Sequence, residues 1–169
     1  MASMLAQTSA AARRVPFLFV LVASLALVLI GVLLGEWMRL AACPLCIIQR
    51  ALYLTLGLVA AIGLMVAARP VAARLAALAM TLAAGTGVFV AGYQVWIQRF
   101  APSTNCSPYP TWWEDMVDRA GEMMPLLFKA SGLCSDPAWK FLGLSIAEWS
   151  LGWFTLFLLV ALRALTRRR

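Results

Sequence analysis

The chain has 169 residues, 63% of them hydrophobic and only 12% charged, with a mean hydropathy of +0.87. A soluble domain draws about 25% of its residues from the charged types; here the surplus apolar surface has to face lipid, which places the chain among integral membrane proteins. The net charge of +7 would suit a nucleic-acid binder, but the basic residues flank apolar runs instead of sharing a soluble face. Nucleic acid is therefore excluded as a partner, and membrane lipid is the expected surrounding.

A hydrocarbon core about 30 Å thick needs roughly 20 apolar residues of helix. Four stretches approach that length, at about residues 16–35, 47–68, 75–97 and 146–166. They predict an all-α membrane protein, a four-transmembrane-helix bundle forming one domain, with loops at about 36–46 and 98–145. The first run carries no charge, and the second holds Gln49 and Arg50 in its first turns. Arg69-Pro70 ends the second, because proline cannot continue a helix and restricts the residue before it. In the fourth, Glu148 and Arg163 must snorkel to the interfaces. Ser145 and Glu148 form a capping box at its start, with Leu144 and Trp149 placed as the hydrophobic staple. Within the long loop, Thr111 and Glu114 make a second box. The mixed apolar and acidic stretch after it, from Met116 to Phe128, reads as a helix, broken near Gly121 or Pro125, lying in the interface; a solvated loop is the alternative.

Four spans put both termini on one side. That side collects Arg13, Arg14, Arg69, Arg74, Arg163, Arg167, Arg168 and Arg169 and no acid, while the other side holds the remaining six basic residues and all seven acids. The bias of Lys and Arg toward short cytoplasmic segments predicts cytoplasmic termini and two outward-facing loops.

Every cysteine falls on the outer side: Cys43, Cys46, Cys106 and Cys134. Such a compartment permits disulfides. Four cysteines allow three connectivities, and the spacing favours Cys43 with Cys46 and Cys106 with Cys134. In Cys43-Pro44-Leu45-Cys46, Pro44 suits the first helical turn, where its missing N–H costs nothing. Cys43 then becomes the cap, where the positive end of the helix is expected to lower its thiol pKa. At about 100° per residue, Cys46 and Cys43 lie roughly 40° and 20° from Arg50, so both thiols and the guanidinium share a face. An arginine in a span costs about 2.5–3.5 kcal/mol at the bilayer centre and less near its edge. Arg50 reads as a hydrogen-bond donor to a polar ligand, with an interfacial snorkeller as the plain alternative.

Other readings remain beside this one. Both pairs could be structural disulfides, although a C-x-x-C closes too small a loop to stabilise much. All four sulfurs could hold zinc if the two loops converge. Leu40-Ala41-Ala42-Cys43 and Arg13-Arg14 are similar to lipoprotein and twin-arginine export signals, but Glu36 and Arg39 separate the apolar run from the first of these and three more spans follow.

Cys43-Pro-Leu-Cys-Ile-Ile-Gln-Arg50 before an apolar span, the separated Cys106 and Cys134, and Phe141-Leu-Gly-Leu-Ser-Ile-Ala-Glu-Trp-Ser-Leu-Gly-Trp-Phe154 resemble the disulfide bond formation protein B (DsbB) family over essentially the whole chain. The resemblance implies a bacterial inner-membrane thiol:quinone oxidoreductase. Cys106 would take electrons from a reduced periplasmic thiol oxidase of the DsbA type, and the Cys106–Cys134 pair would pass them to Cys43–Cys46 by way of a Cys43–Cys134 bridge. Cys46 would deliver them to ubiquinone or menaquinone polarised by Arg50. Some members carry a histidine near the outer end of the third span; this chain has none, which leaves the quinone pocket to Arg50 and to apolar or amide neighbours such as Gln94. The alternatives in other classes are a non-catalytic scaffold stapled by disulfides, and a quinone reductase similar to vitamin K epoxide reductase, which places its C-x-x-C late in the bundle.

Overall fold

The structure is a computed structural model and describes residues 2–101, 112–137 and 139–166. Four of its helices are long and apolar enough to cross a membrane: α1 (Ala2–Met38), α2 (Pro44–Val66), α3 (Pro70–Phe100) and α6 (Ile146–Thr166). Between α3 and α6 lie α4 (Trp112–Met123), the short α5 (Pro125–Phe128), and a hairpin of two-residue strands, β1 (Lys140–Phe141) and β2 (Leu144–Ser145).

Two helices outrun their apolar cores. The first apolar run begins at Pro16, but α1 starts at Ala2; the alanine-rich segment before Pro16 has high helix propensity and lets the helix continue past the proline. Similarly, α3 runs from Pro70 to Phe100, because Pro70 opens a helix as readily as it closes the one before it. The second helix starts at Pro44, as the placing of Pro44 in the first helical turn after a Cys43 cap predicts, and ends at Val66, just inside the apolar run that reaches residue 68.

The caps explain these limits. α1 ends in a Schellman turn: Arg39 takes a positive φ of 51° and the Leu40 N–H returns to the Gly35 carbonyl at 2.9 Å, satisfying an orphan acceptor. At the other end of the bundle, Arg13 donates from Nε to the Ala67 carbonyl at 2.9 Å, tying α1 to the last turn of α2. The capping box of α6 is formed, with the Ser145 N–H donating to Glu148 Oε2 at 2.7 Å and the Glu148 N–H to Ser145 Oγ at 3.3 Å. Glu148 also pairs with Arg99 of α3, so this carboxylate is held by a cation as well as by the cap. Trp149 donates to the Phe141 carbonyl, which fastens the hairpin to α6. The hairpin turns at Leu142 and Gly143, both at positive φ, as a two-residue loop matched to strand twist demands. Thr111 lies outside the described residues. The stretch after it is a broken helix, interrupted between Met123 and Pro125, while Gly121 stays inside α4.

The bundle is sequential: α1 packs on α2, α2 on α3, and α3 on α6, while α1 and α6 touch only slightly. Small residues bring the axes close, as is general where lipid supplies no hydrophobic drive between helices. Gly63 faces the Phe17 ring and Gly87 the Phe154 ring, and both rings are buried in a core with Ala60, Ala77, Met80, Ala84 and Phe157. Leu18, Val22, Leu25, Leu29 and Leu33 form an exposed stripe on α1, the face left for lipid.

Candidate functional site

At the end of the bundle where α2 begins, the local sequence builds a sulfur-bearing cap. Cys43 is the N-cap of α2, in extended conformation, and Pro44 occupies the first helical turn. The Cys46 N–H donates to Cys43 Sγ at 3.3 Å, and the Cys43 thiol donates to Cys46 Sγ at 2.9 Å. Cys43 is buried and Cys46 half-buried. From α3, Gln94 brings its Nε2 to 3.2 Å from each sulfur. Gln94 Oε1 in turn accepts from Gln49 Nε2 at 2.7 Å. These two amides are buried in an apolar seam, where an unpaired polar group is costly, so the pairing satisfies both helices at once.

The second loop arrives on the same spot. Ser131 and Gly132 both donate their backbone N–H to the Ala42 carbonyl, at 2.8 and 3.0 Å. Two residues on, the buried Cys134 sulfur reaches hydrogen-bond contact with Cys43 and with the Leu45 N–H. Three of the four cysteines, two from the start of α2 and one from the second loop, therefore form one cluster over the N-terminus of α2. Cys106 lies outside the described residues.

The electrostatics differ from the expectation for Cys43. Its thiol is pushed above the ordinary value, first by its hydrogen bond to Cys134, then by the bond to Cys46 and by burial. Cys134 is pulled below its ordinary value by the bond from Cys43 and by the Leu45 N–H, against the opposing effect of burial. Neighbouring thiols cannot all ionise, and the sulfur between the other two keeps its proton longest. The first free N–H groups of the helix are shared: one serves Cys43, and Leu45 serves Cys134.

Arg50 lies one turn further along α2, half-buried, and donates from Nη1 to the Leu127 carbonyl of α5 at 2.8 Å. It also interacts electrostatically with Cys46. The sequence placed Arg50 beside the thiols without disclosing this backbone partner. One of its five N–H donors is thereby used, and the rest of the fork remains for other acceptors.

Beside this cluster lies an apolar cavity of about 530 Å³, within the range of small-molecule sites. It occupies the loose seam between α1 and α6: Leu27, Leu34, Trp149 and Trp153 supply apolar wall, while Cys46, Gln49, Arg50 and Gln94 supply polar groups. Such a lining accommodates a molecule with a small polar head carrying acceptor oxygens and an apolar tail leading toward lipid.

Residues 13–164 match the family model described as Disulfide bond formation protein DsbB. The chain belongs to the DsbB family. Among relatives named Disulfide bond formation protein B, that of Dechloromonas aromatica is 43% identical over 133 residues, covering 75% of this chain and 76% of the relative. The Azoarcus sp. protein is 33% identical over 158 residues, 93% of this chain and 95% of the relative. The Herminiimonas arsenicoxydans protein is 33% identical over 156 residues, with 91% and 96% covered. Membership of the DsbB family makes this a four-helix membrane protein with a redox role in disulfide formation. Two features of its site were not singled out from sequence. Gln49 is polar within an apolar span, which was a usable signal; Gly132 carried none, because its neighbour Ala41 is distant along the chain.

Proposed function

We propose that the chain is a thiol:quinone oxidoreductase of the bacterial inner membrane, with cytoplasmic termini and periplasmic thiols, that reoxidises a DsbA-type thiol oxidase. The observation that carries this reading is the cluster of Cys134 on Cys43 and of Cys46 beside a cavity with Arg50 and Gln94 at its polar end. A scaffold stapled by disulfides has no use for a third sulfur in contact with a C-x-x-C.

The resting pairs are Cys43–Cys46 and Cys106–Cys134. A partner thiolate attacks Cys106 Sγ, a mixed disulfide forms, and Cys134 leaves as a thiolate. Cys134 attacks Cys43 Sγ, the Cys43–Cys46 bond breaks, and Cys46 leaves as a thiolate facing the cavity. The second partner thiol then resolves the mixed disulfide, releasing Cys106 to reclaim Cys134 and freeing Cys43 to close again on Cys46. Ubiquinone or menaquinone, when bound, supplies the acceptor for two electrons and two protons. The net change oxidises one dithiol and reduces one quinone. Arg50 and Gln94 hold donors where negative charge develops, which is how a preorganised site lowers a barrier.

The test uses purified chain in detergent with a reduced DsbA-type protein and a short-chain ubiquinone or menaquinone analogue. Loss of quinone absorbance and appearance of oxidised partner in equal amounts are expected, and Cys43→Ser should abolish both. A partner left fully reduced by the unaltered chain with either analogue would refute the proposal.

A further inference from the structure

We infer that Gly132 is a positioning residue for the exchange between the two loops: its bare backbone, packed on Ala41 and Ala42, seats the Cys134 sulfur against Cys43. This rests on the dithiol relay proposed above and deepens it.

The seat is made by backbone. Ser131 and Gly132 converge on a single acceptor, the Ala42 carbonyl, at 2.8 and 3.0 Å. That carbonyl belongs to the residue preceding Cys43, so the latch fixes the second loop directly to the attacked residue's neighbour. On its other flank, the segment leading to the latch is held by Arg50 through the Leu127 carbonyl. Residues 127–134 are thus tied down at two points, and Cys134 follows the second by two residues. A short tether of this kind limits the positions open to its sulfur.

Only glycine allows so close an approach. A Cβ at 132 would overlap the Ala41 carbonyl oxygen, stand 3.0 Å from its carbon and lie 3.3 Å from the Ala41 Cβ. The obstruction is backbone, which cannot swing aside as the end of a flexible side chain can. The φ of Gly132 is not in the left-handed region, where Gly143 is the only glycine among the described residues. Alanine is therefore acceptable to the local conformation of residue 132 and objectionable only for the space its methyl needs. Gly132→Ala must lift the loop from Ala41, and Cys134 is carried with it.

The step that depends on this seat is a thiol–disulfide exchange. The Cys134 thiolate forms a bond to Cys43 Sγ as the Cys43–Cys46 bond breaks, and Cys46 departs with the electron pair; no net oxidation occurs. Attack at sulfur depends on access and alignment as well as on thiolate content. Misplacing a reacting group by about 1 Å costs up to about a hundredfold.

The test measures the seat without any quinone. Cys46→Ser with Cys106→Ser leaves Cys43 and Cys134; Cys106→Ser with Cys134→Ser leaves Cys43 and Cys46. Each is made with and without Gly132→Ala and equilibrated in glutathione redox buffers in detergent. The fraction of disulfide is read by acid quenching, alkylation and mass. Gly132→Ala is expected to lower the effective concentration of the Cys43–Cys134 pair by about tenfold or more and to leave the Cys43–Cys46 pair unchanged. An unaltered Cys43–Cys134 pair overturns the inference. Equal losses in both pairs overturn it too, because the change then disturbs the whole end of the bundle. A selective loss in the bridge, with no quinone reduction by the unaltered chain, would keep the seat and refute the relay.

Discussion

Gln49 of α2 donates its side-chain amide to Gln94 of α3 at 2.7 Å, and this bond leaves the Gln94 amino group facing the two sulfurs of the C-x-x-C. An amide presenting nitrogen to sulfur favours a thiolate, whereas one presenting oxygen would favour a thiol. Gln94→Leu removes the donor and orphans Gln49 in the seam. A hydrogen bond to a charged group contributes about 1.5–3 kcal/mol, so quinone reduction driven by a dithiol partner should slow by about ten- to a hundredfold. Stopped-flow absorbance of the quinone analogue measures it, and an unchanged rate would remove Gln94 from the site.

Ionisation within the cluster gives an order of labelling. The Cys134 thiol lies below its ordinary value, chiefly through the bond from Cys43, while the Cys43 thiol lies above its own, chiefly through the bond to Cys134. A lowered thiol pKa keeps thiolate present at lower pH, and a raised one delays it to higher pH. In the fully reduced chain, iodoacetamide labelling should therefore reach Cys134 at lower pH than Cys43, as peptide mass mapping across a pH series would read. The reverse order would mean that α2 directs its N-terminal charge at Cys43 alone.

Close packing of α3 on α6 predicts a sharp contrast between two glycines two residues apart. A Cβ at Gly87 would lie 2.6 Å from Phe154 Cγ and nearer still to Cδ1 and Cε1, whereas at Gly85 nothing lies within 4 Å. Phe154 is fully buried and has no room to retreat, since Tyr53 stacks on it with centroids 4.2 Å apart. Gly87→Ala should cost about 1–3 kcal/mol, as overpacking does, and lower the melting temperature in detergent. Gly85→Ala should leave it unchanged or raise it slightly through better helix propensity.

The start of α6 separates a cap from an ion pair. Ser145 Oγ accepts from the Glu148 N–H and donates to Gln98 Oε1 at 2.9 Å, and Ser145 is buried. The Arg99 side chain in the ion pair with Glu148 is 59% exposed, and such pairs contribute at most about 1 kcal/mol. Ser145→Ala loses a cap, typically about 1 kcal/mol, and removes the hydroxyl that donates to the half-buried Gln98 Oε1. Thermal unfolding should therefore suffer more from Ser145→Ala than from Arg99→Ala, and only the latter's effect should fade with added salt.

What sequence could disclose follows from the range of the forces. The four spans and the Cys43–Pro44 start of α2 depend on runs and caps within a few residues, so composition and proline placement reveal them. Gln49 meeting Gln94, and Gly132 meeting Ala41, join distant segments, and no local pattern encodes them. The thiol of Cys43 shows the limit of a local rule. Its place at the helix N-terminus was legible and its capping bond is present, but the hydrogen bond to the arriving Cys134, with the bond to Cys46 and burial, reverses the outcome for Cys43. Arg50 was legible as a neighbour of the thiols; its hold on α5 was not, because a backbone carbonyl leaves no mark in a sequence.

That hold gives Arg50 two separable duties. Its charge stands beside Cys46 and its fork reaches the Leu127 carbonyl. Lysine can supply the charge but lacks the planar fork that reaches two acceptors at once. Arg50→Lys should keep part of the charge effect and lose the tether, while Arg50→Met should lose both. Dithiol-driven quinone reduction is expected to fall by about tenfold in Arg50→Lys and by about a hundredfold in Arg50→Met, the spread of a charge-assisted hydrogen bond. Backbone amide exchange at residues 126–128 should rise by the same amount in both, since both release Leu127. If exchange there stayed slow in Arg50→Met, the tether would be incidental and Arg50 would serve the cavity alone.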